Sequence, residues 1–294
     1  MSETEPSGAL PLRVAVIGTS LWTPGVLDSG AADLRALHGA DTNAELSSPP
    51  IAMASSRQLR GTSLLTRMQV HVAESACARA GADPAAVAAV FGSAYGEIDI
   101  ALLQLRMMCE GDGIVSPARF KNSVHNTGSG VFSIAAGNQG FATAIAGGAH
   151  TVGDCLLEAF GLLADGLGPV ALALAEESLP APLATFRAYA PLAVGLVLVA
   201  APDGSEASER APILDDLRWE PHPEEATSPV EPPLFEPALP PRFAANPCAP
   251  ALSLLLALRR DDSAPIRVTL GDALGARYTV RVQGGRARDH GSRR

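Results

Sequence analysis

Gly140-Phe-Ala-Thr-Ala-Ile-Ala-Gly-Gly148 is the stretch on which the reading of this sequence turns. Residues 141–145 read as a short strand, and Gly147 and Gly148 open a turn. Beyond it Val152, Cys155, Leu156, Ala159, Phe160 and Leu163 recur at helical spacing and mark the buried face of a helix. Gly166 and Gly168 end that helix, and residues 170–175 form the next strand. Strand, glycine turn and helix in this order build layered α/β folds.

The same alternation extends outward. Upstream, Arg13-Val-Ala-Val-Ile-Gly18 reads as a buried strand. The segment to Arg57 is broken by Pro and Gly and holds one short helix around Ala32 to Leu37. Residues 63–80 predict a helix stopped by Gly81. Residues 88–91 predict a strand that runs into the turn Gly92-Ser-Ala-Tyr-Gly96, and residues 98–109 a helix entered from Glu97. Residues 115–140 carry so many small side chains that a helix packed closely in the core or at a subunit boundary is expected.

Downstream, residues 192–201 read as a central strand covered on both faces, and residues 213–219 as a more polar edge strand. Ten prolines lie between Pro221 and Pro250, which rules out regular ladder bonding there. A helix at 251–259 and a hairpin from 266–270 and 277–282 follow. The expected organisation is a disordered N-terminus at 1–12, a lobe at 13–220, a Pro-rich linker or loop at 221–250, a reduced C-terminal lobe at 251–283 and a disordered tail at 284–294.

The chain has 294 residues, 47% of them hydrophobic and 18% charged, enough to bury one large core or two lobes. The formal charge is −9 and Lys121 is the single lysine among 22 basic residues, so nucleic acid is not an expected partner. Residues 1–12 lack the pattern of a secretory signal. The apolar runs fall far short of the roughly 20 residues that span a bilayer. No membrane association is expected, and four scattered cysteines suit a reducing cytoplasm.

Three blocks in fixed order carry a resemblance. Ser116-Pro-Ala-Arg-Phe-Lys-Asn-Ser-Val-His-Asn-Thr-Gly-Ser-Gly130 looks like the β-ketoacyl synthase stretch that precedes the nucleophile. Residues 140–148 resemble the nucleophile elbow, where that family usually writes Thr-Ala-Cys-Ala. Ala171-Leu-Ala-Leu-Ala-Glu-Glu177 and residues 186–199 resemble the strand, turn and strand that come next. The likeness spans residues 13–201 and is greatest to the shortened synthase-like proteins of aryl polyene pathways. It implies a thiolase-like layered α/β fold with a complete N-terminal lobe and a truncated C-terminal lobe. It also implies a smaller, inactive relative, a chain length factor in the broad sense, paired with a full-length condensing synthase.

Activity turns on position 145. A ketoacyl synthase carries its acyl chain as a thioester on a cysteine activated at a helix N-terminus, and Ile145 has no nucleophilic atom. The family's later half supplies two histidines and a lysine for decarboxylation and oxyanion stabilisation. After Gly195 this sequence offers His222 and His290 and no lysine. The resemblance therefore implies no catalytic residue and no cofactor. It places residues 141–144 on the strand that pairs across a two-fold axis, with Phe120, Asn122, His125, Asn126, Phe141 and Thr143 near the partner. Leu103, Met107, Met108 and Phe132 become candidates for the end of the partner's acyl tunnel. An acyl carrier protein would be reached through the partner, since this chain's acidic charge does not attract an acidic protein.

Plainer readings stand beside these. Cys155, the tempting substitute nucleophile, shares an apolar face with Val152 and Phe160 and reads as a buried structural thiol, and Cys109 is read the same way. His125 reads as satisfying local backbone, His150 as a packed or capping residue, and Glu176-Glu177 as solvated loop charges. Met107 and Met108 point different ways on a helix, so at most one faces a tunnel. Histidine and cysteine show no metal-ligand spacing. Two other functions stay open: an acyltransferase or decarboxylase of this fold using non-standard residues, and a scaffold that docks carrier proteins.

Overall fold

The computed structural model describes residues 12–27, 37–38, 48–111, 113–181, 183–221, 232–273 and 276–284. One sheet organises them. Its strands are β1 (Val14–Thr23), β2 (Val26–Leu27), β3 (Ala88–Gly92), β4 (Ala142–Ile145), β5 (Val170–Glu176), β6 (Leu192–Ala200), β7 (Ile213–Pro221), β8 (Ile266–Ala273) and β9 (Ala276–Gln283). They lie in the order β4-β3-β5-β6-β1-β7-β9-β8, with β2 paired to β1. β3 runs parallel to both β4 and β5, and the other pairings between these strands are antiparallel. The helices are α1 (Leu64–Ala80), α2 (Ile98–Glu110), α3 (Pro117–Phe120), α4 (Thr127–Ala136), α5 (Thr151–Ala164), α6 (Glu206–Arg210) and α7 (Ala249–Leu258).

The sequence of β5 explains the layering. Val-Ala-Leu-Ala-Leu-Ala alternates large and small side chains, and a strand sends alternate residues to opposite faces. Leu172 and Leu174 join Val90, Leu196 and Leu198 in a core covered by α5 and α7. Ala171, Ala173 and Ala175 line the other face, where α1 and α4 pack close. That approach is tightest over β6 and β1. A Cβ at Gly195 would lie 2.2 Å from the Val72 carbonyl oxygen, and one at Gly18 2.3 Å from that of Ala76. Ser63 begins α1 by accepting the Thr66 N–H at 2.9 Å, and Gly81 ends it in the left-handed region.

The C-terminal part consists of α7 and the β8–β9 hairpin, and it lengthens the same sheet beyond β7. β7 is therefore an inner strand between β1 and β9, contrary to the edge strand expected from its polarity. Its charges are paired by later residues: Asp215 with Arg281, Asp216 with Arg267, and Glu220 with Arg277. The small-residue stretch forms two helices rather than one. Side-chain hydroxyls of Ser123, Thr127 and Ser129 each donate to the backbone carbonyl three residues earlier, which ends α3 and recasts the chain before α4. Of the short helix expected at 32–37 only Leu37 lies within the described residues, and it is buried. Residues 1–11 and 285–294 of the termini expected to be disordered, and residues 222–231 of the Pro-rich segment, lie outside them, while Leu12 packs half-buried on the core.

Candidate functional site

The carboxyl ends of the three parallel strands β4, β3 and β5 meet at one end of the sheet, the place where open α/β sheets put their chemistry. Ile145 is the last residue of β4, and its carbonyl accepts the Ser93 N–H at 3.2 Å. Gly147 and the 3₁₀ turn Gly148–His150 then lead into α5. At position 147 a Cβ would sit 1.8 Å from Asp154 Oδ2, so a larger residue there would require the Asp154 side chain to swing away. Thr151 holds the bend by accepting the Gly147 N–H at 3.0 Å and donating to the Gly148 carbonyl at 2.8 Å. The Ile145 side chain is half-buried and packs on the core beneath α5. This is a strand-to-helix elbow with a hydrocarbon at its tip.

No thiol replaces it nearby. Cys155 is fully buried, and its sulfur packs so tightly under β3 that a Cβ at Gly92 would come within 2.6 Å of it. Burial, then the charges of Asp154 and Glu158, push this thiol up and keep it protonated. Cys248 is likewise buried with its pKa raised, first by burial. Cys109, expected to be buried, is exposed at the end of α2, because that helix buries only Gln104. His150 packs edge-on against the Trp219 ring, centroids 4.8 Å apart, and its Nε2 lies 3.2 Å from the Ala276 carbonyl oxygen.

Sequence reasoning missed the acidic groups at this end. Glu176 and Glu177 are buried, not solvated, because Glu176 ends β5 beneath the loop that leaves β3 and Glu177 follows it against the start of α1. Glu176 Oε2 accepts the Ala94 N–H at 2.6 Å and the Ser93 hydroxyl at 3.1 Å, and Glu177 Oε2 accepts the Leu65 N–H at 3.1 Å. Glu97, also buried, accepts the Thr66 hydroxyl at 2.5 Å. Burial pushes Glu176 up to about 7 against the pull of those donors. It pushes Glu177 up to about 8, with the charge of Glu97 adding to it. Two acids directly after six apolar strand residues were the signal available in the sequence.

The residues expected at a partner are divided between β4, which carries Thr143 and follows Phe141, and the segment 120–126 that leads into α4. Phe120 is 59% exposed, and Asn126, Phe141 and the α4 residue Ile134, 72% exposed, are also on the surface. Thr143 is half-buried on β4. Asn122 instead points inward and donates to the Gly61 carbonyl at 2.8 Å. The half-buried His125 lies against Gly96, where a Cβ would come within 2.4 Å of its Nδ1. Asn122, Asn126, Val124, Val131 and Ile134 with Arg57 line a surface groove of about 420 Å³. Of the tunnel candidates, Leu103 and Met108 are exposed on α2, while the half-buried Met107 accepts Arg119 Nη1 at its sulfur at 3.4 Å. Phe132 stands apart: it is fully buried against Phe91, ring centroids 5.6 Å apart, and lines no open surface of the isolated chain.

The family description "Beta-ketoacyl synthase, N-terminal domain" matches residues 36–232, more than half of the chain. The chain belongs to the β-ketoacyl synthase family. Solved structures of the same fold include a chain of the ketosynthase and chain length factor complex from Xenorhabdus doucetiae, with 17% identity and a TM-score of 0.65, covering 92% of this chain and 99% of that one. The ishigamide ketosynthase/chain length factor gives 17% identity, a TM-score of 0.63 and coverage of 92% and 99%. A β-ketoacyl synthase from Burkholderia phymatum gives 13%, 0.65, 94% and 100%. No curated protein matches the sequence. The fold is thus the thiolase-like layered α/β arrangement of ketoacyl synthases. Among the described residues of this family member, no helix is long and apolar enough to cross a membrane, and no group of three or more His, Cys, Asp or Glu side chains could hold a metal ion.

Proposed function

We propose that this chain is a catalytically inactive, chain-length-factor-like subunit that pairs with a full-length β-ketoacyl synthase and forms part of the wall of that partner's acyl tunnel. The observation that carries the reading is Ile145 at the tip of the elbow between β4 and α5. Covalent acyl transfer needs a thiolate at such a bend, and the buried thiols nearby are held protonated by their surroundings.

A subunit without a nucleophile contributes by surface. Among the described residues β4 is an edge strand, and such an edge is a template for pairing with another chain. Phe141, directly before β4, is exposed, and Phe120 and Ile134 add exposed apolar area elsewhere on the surface. In this reading Thr143, His125 and Asn126 also meet the partner, Asn122 braces the segment from behind, and Phe132 stiffens α4. Leu103, Met107 and Met108 on α2 are the candidates for limiting chain length. Residues 13–220 act as the synthase-like lobe, with 251–283 as the remnant of a second. The acyl carrier protein is engaged by the synthase, and the complex works in the cytoplasm, within fatty-acid or polyketide-type biosynthesis.

The test has two arms. Intact-mass measurement after incubation of the purified chain with an acyl carrier thioester is expected to show no acyl adduct. Co-expression with a synthase that keeps its cysteine and both histidines is expected to yield a stable one-to-one complex. A stoichiometric adduct on the isolated chain sinks the inactive reading, and separate elution sinks the pairing.

A further inference from the structure

Three buried carboxyl groups, Glu97, Glu176 and Glu177, lie around the segment that joins β3 to α2, and each has one oxygen bonded and one left over. Glu97 Oε1, Glu176 Oε2 and Glu177 Oε2 accept the donors described above. Glu97 Oε2, Glu176 Oε1 and Glu177 Oε1 are buried with no hydrogen-bond partner, and so is the hydroxyl of Tyr189. An ionised carboxylate with an unpartnered buried oxygen has lost its hydration without compensation, so such a group keeps its proton or draws in water.

The surroundings offer little to offset a charge. Asp99 on α2 and the carboxyls themselves repel one another: Glu97 and Asp99 act on Glu177, as does Glu176. Tyr95, Tyr189 and the buried thiol of Cys248 surround Glu176, and Arg187 acts on Tyr189. The donors are the side chains of Ser63, Thr66 and Ser93 and the backbone N–H groups of Leu65, Ala94 and Tyr95.

What the cluster holds in place is α2. This helix buries only Gln104, and it leaves Leu103, Leu105 and Met108 on the surface. Arg106 adds a tie to the Ala181 carbonyl at 3.0 Å. The firm anchor of the helix is its start, where Glu97 is bound to Thr66 and residues 93–94 are bound to Glu176.

We propose that Glu97, Glu176 and Glu177 form a proton-loaded latch: protonated, they fasten residues 93–97 and the end of β5 to their neighbours, among them α1, and ionised, they release α2 with its exposed Leu103, Leu105 and Met108. The raised pKa values of Glu176 and Glu177 put this release between mildly acidic and mildly alkaline pH. The latch is independent of any pairing with a synthase.

Hydrogen exchange of the full chain, corrected for the intrinsic pH dependence of exchange, tests it. Between about pH 6 and about pH 9, protection in residues 94–108 is expected to fall at least about tenfold, while residues 66–77 of α1 and 152–163 of α5 change little. Glu97→Gln combined with Glu177→Gln is expected to weaken that dependence, leaving the part carried by Glu176. Equal protection of 94–108 at both pH values overturns the latch, as does a loss spread evenly over the whole chain. Both of those readings need only the wild-type protein. A double variant that folds and keeps the full pH dependence also overturns it.

Discussion

The backbone N–H of Ser93 donates to the carbonyl oxygen of Ile145 at 3.2 Å, which continues the β3–β4 ladder one residue past β3 and fixes the direction in which the chain leaves β4. Residue 145 is thereby held at the start of the bend into α5 whatever side chain it carries. Ile145→Cys, made in a Cys109→Ser background because Cys109 is exposed, should present one accessible thiol where the parent presents none. Intact mass after iodoacetamide should show one added group. Condensing activity should stay at background, because no lysine and no histidine pair of the family type accompanies the new thiol. Decarboxylative condensation by the unmodified chain would refute the account of position 145.

The buried acids give a second expectation, with a definite sign. Glu176 moves from its ordinary 4.5 to about 7, so between those values the folded chain binds more protons than the unfolded one. Its contribution to stability is complete below about pH 4.5 and is lost as pH rises through about 7, on the order of 3 kcal/mol in all. Glu177 extends the same loss to about pH 8. Urea unfolding at pH 5.5 and 8.5 should therefore show a smaller difference for Glu176→Gln than for the wild type. Identical pH slopes would mean that Glu176 is hydrated in solution.

Much of the fold is legible in the sequence, and the failures have a common cause. The alternation of β5, the glycine turn after β4 and the capped helix α1 are local patterns whose spacing states the structure. β7 was misread as an edge because Asp215, Asp216 and Glu220 are neutralised by arginines 51 to 66 residues later, a distance at which a single sequence shows no pattern. The burial of Glu176 and Glu177 was hidden for the same reason, since their donors come from α1 and from the turn after β3. The elbow at Ile145 was visible because strand, turn and helix are contiguous there.

Arg267 shows what that long-range pairing is worth. Its side chain is 1% exposed, forms an ion pair with Asp216, and donates from Nη1 to the Asp216 carbonyl at 3.1 Å and to Thr279 at 3.0 Å. Arg267→Ala leaves Asp216 with the more exposed Arg218, whose Nε donates to it at 2.7 Å, and opens a cavity, so a loss near the lower end of about 3 to 5 kcal/mol is expected by chemical denaturation. Replacing both residues, Arg267→Met with Asp216→Leu, should cost clearly less. If the double replacement costs as much as Arg267→Ala, packing and not the stranded charge sets the penalty.

Gly195 makes a sharper test of the layering. Alanine there places a methyl carbon 2.2 Å from the Val72 carbonyl oxygen and 2.5 Å from Ser20 Oγ, so α1 must lift off β6 or the chain must bend. The hydroxyl of Ser20 also donates to that same carbonyl at 2.7 Å. Gly195→Ala should lower the unfolding free energy by roughly 2 to 3 kcal/mol, the upper part of the usual 1 to 3 for overpacking, because backbone and not a side chain must yield. A neutral effect in thermal unfolding would show that α1 stands further from the sheet than this geometry has it.

The surface around β4 yields the prediction most directly tied to function. Ile134 on α4 is 72% exposed and Leu167, beyond the end of α5, is 46% exposed, so a glutamate at either should leave the folding free energy nearly unchanged. The two positions differ in setting: Ile134 lines the groove shared with Asn122 and Asn126 and belongs to α4, which packs on one face of the sheet, whereas Leu167 follows α5, which packs on the other. If this face seats the synthase, Ile134→Glu buries an unpaired charge in the interface and should weaken the complex at least about tenfold in titration calorimetry. Leu167→Glu should bind as the wild type does. Equal affinity for both variants would move the pairing surface away from β4, because a charge placed in a desolvated apolar contact cannot be silent.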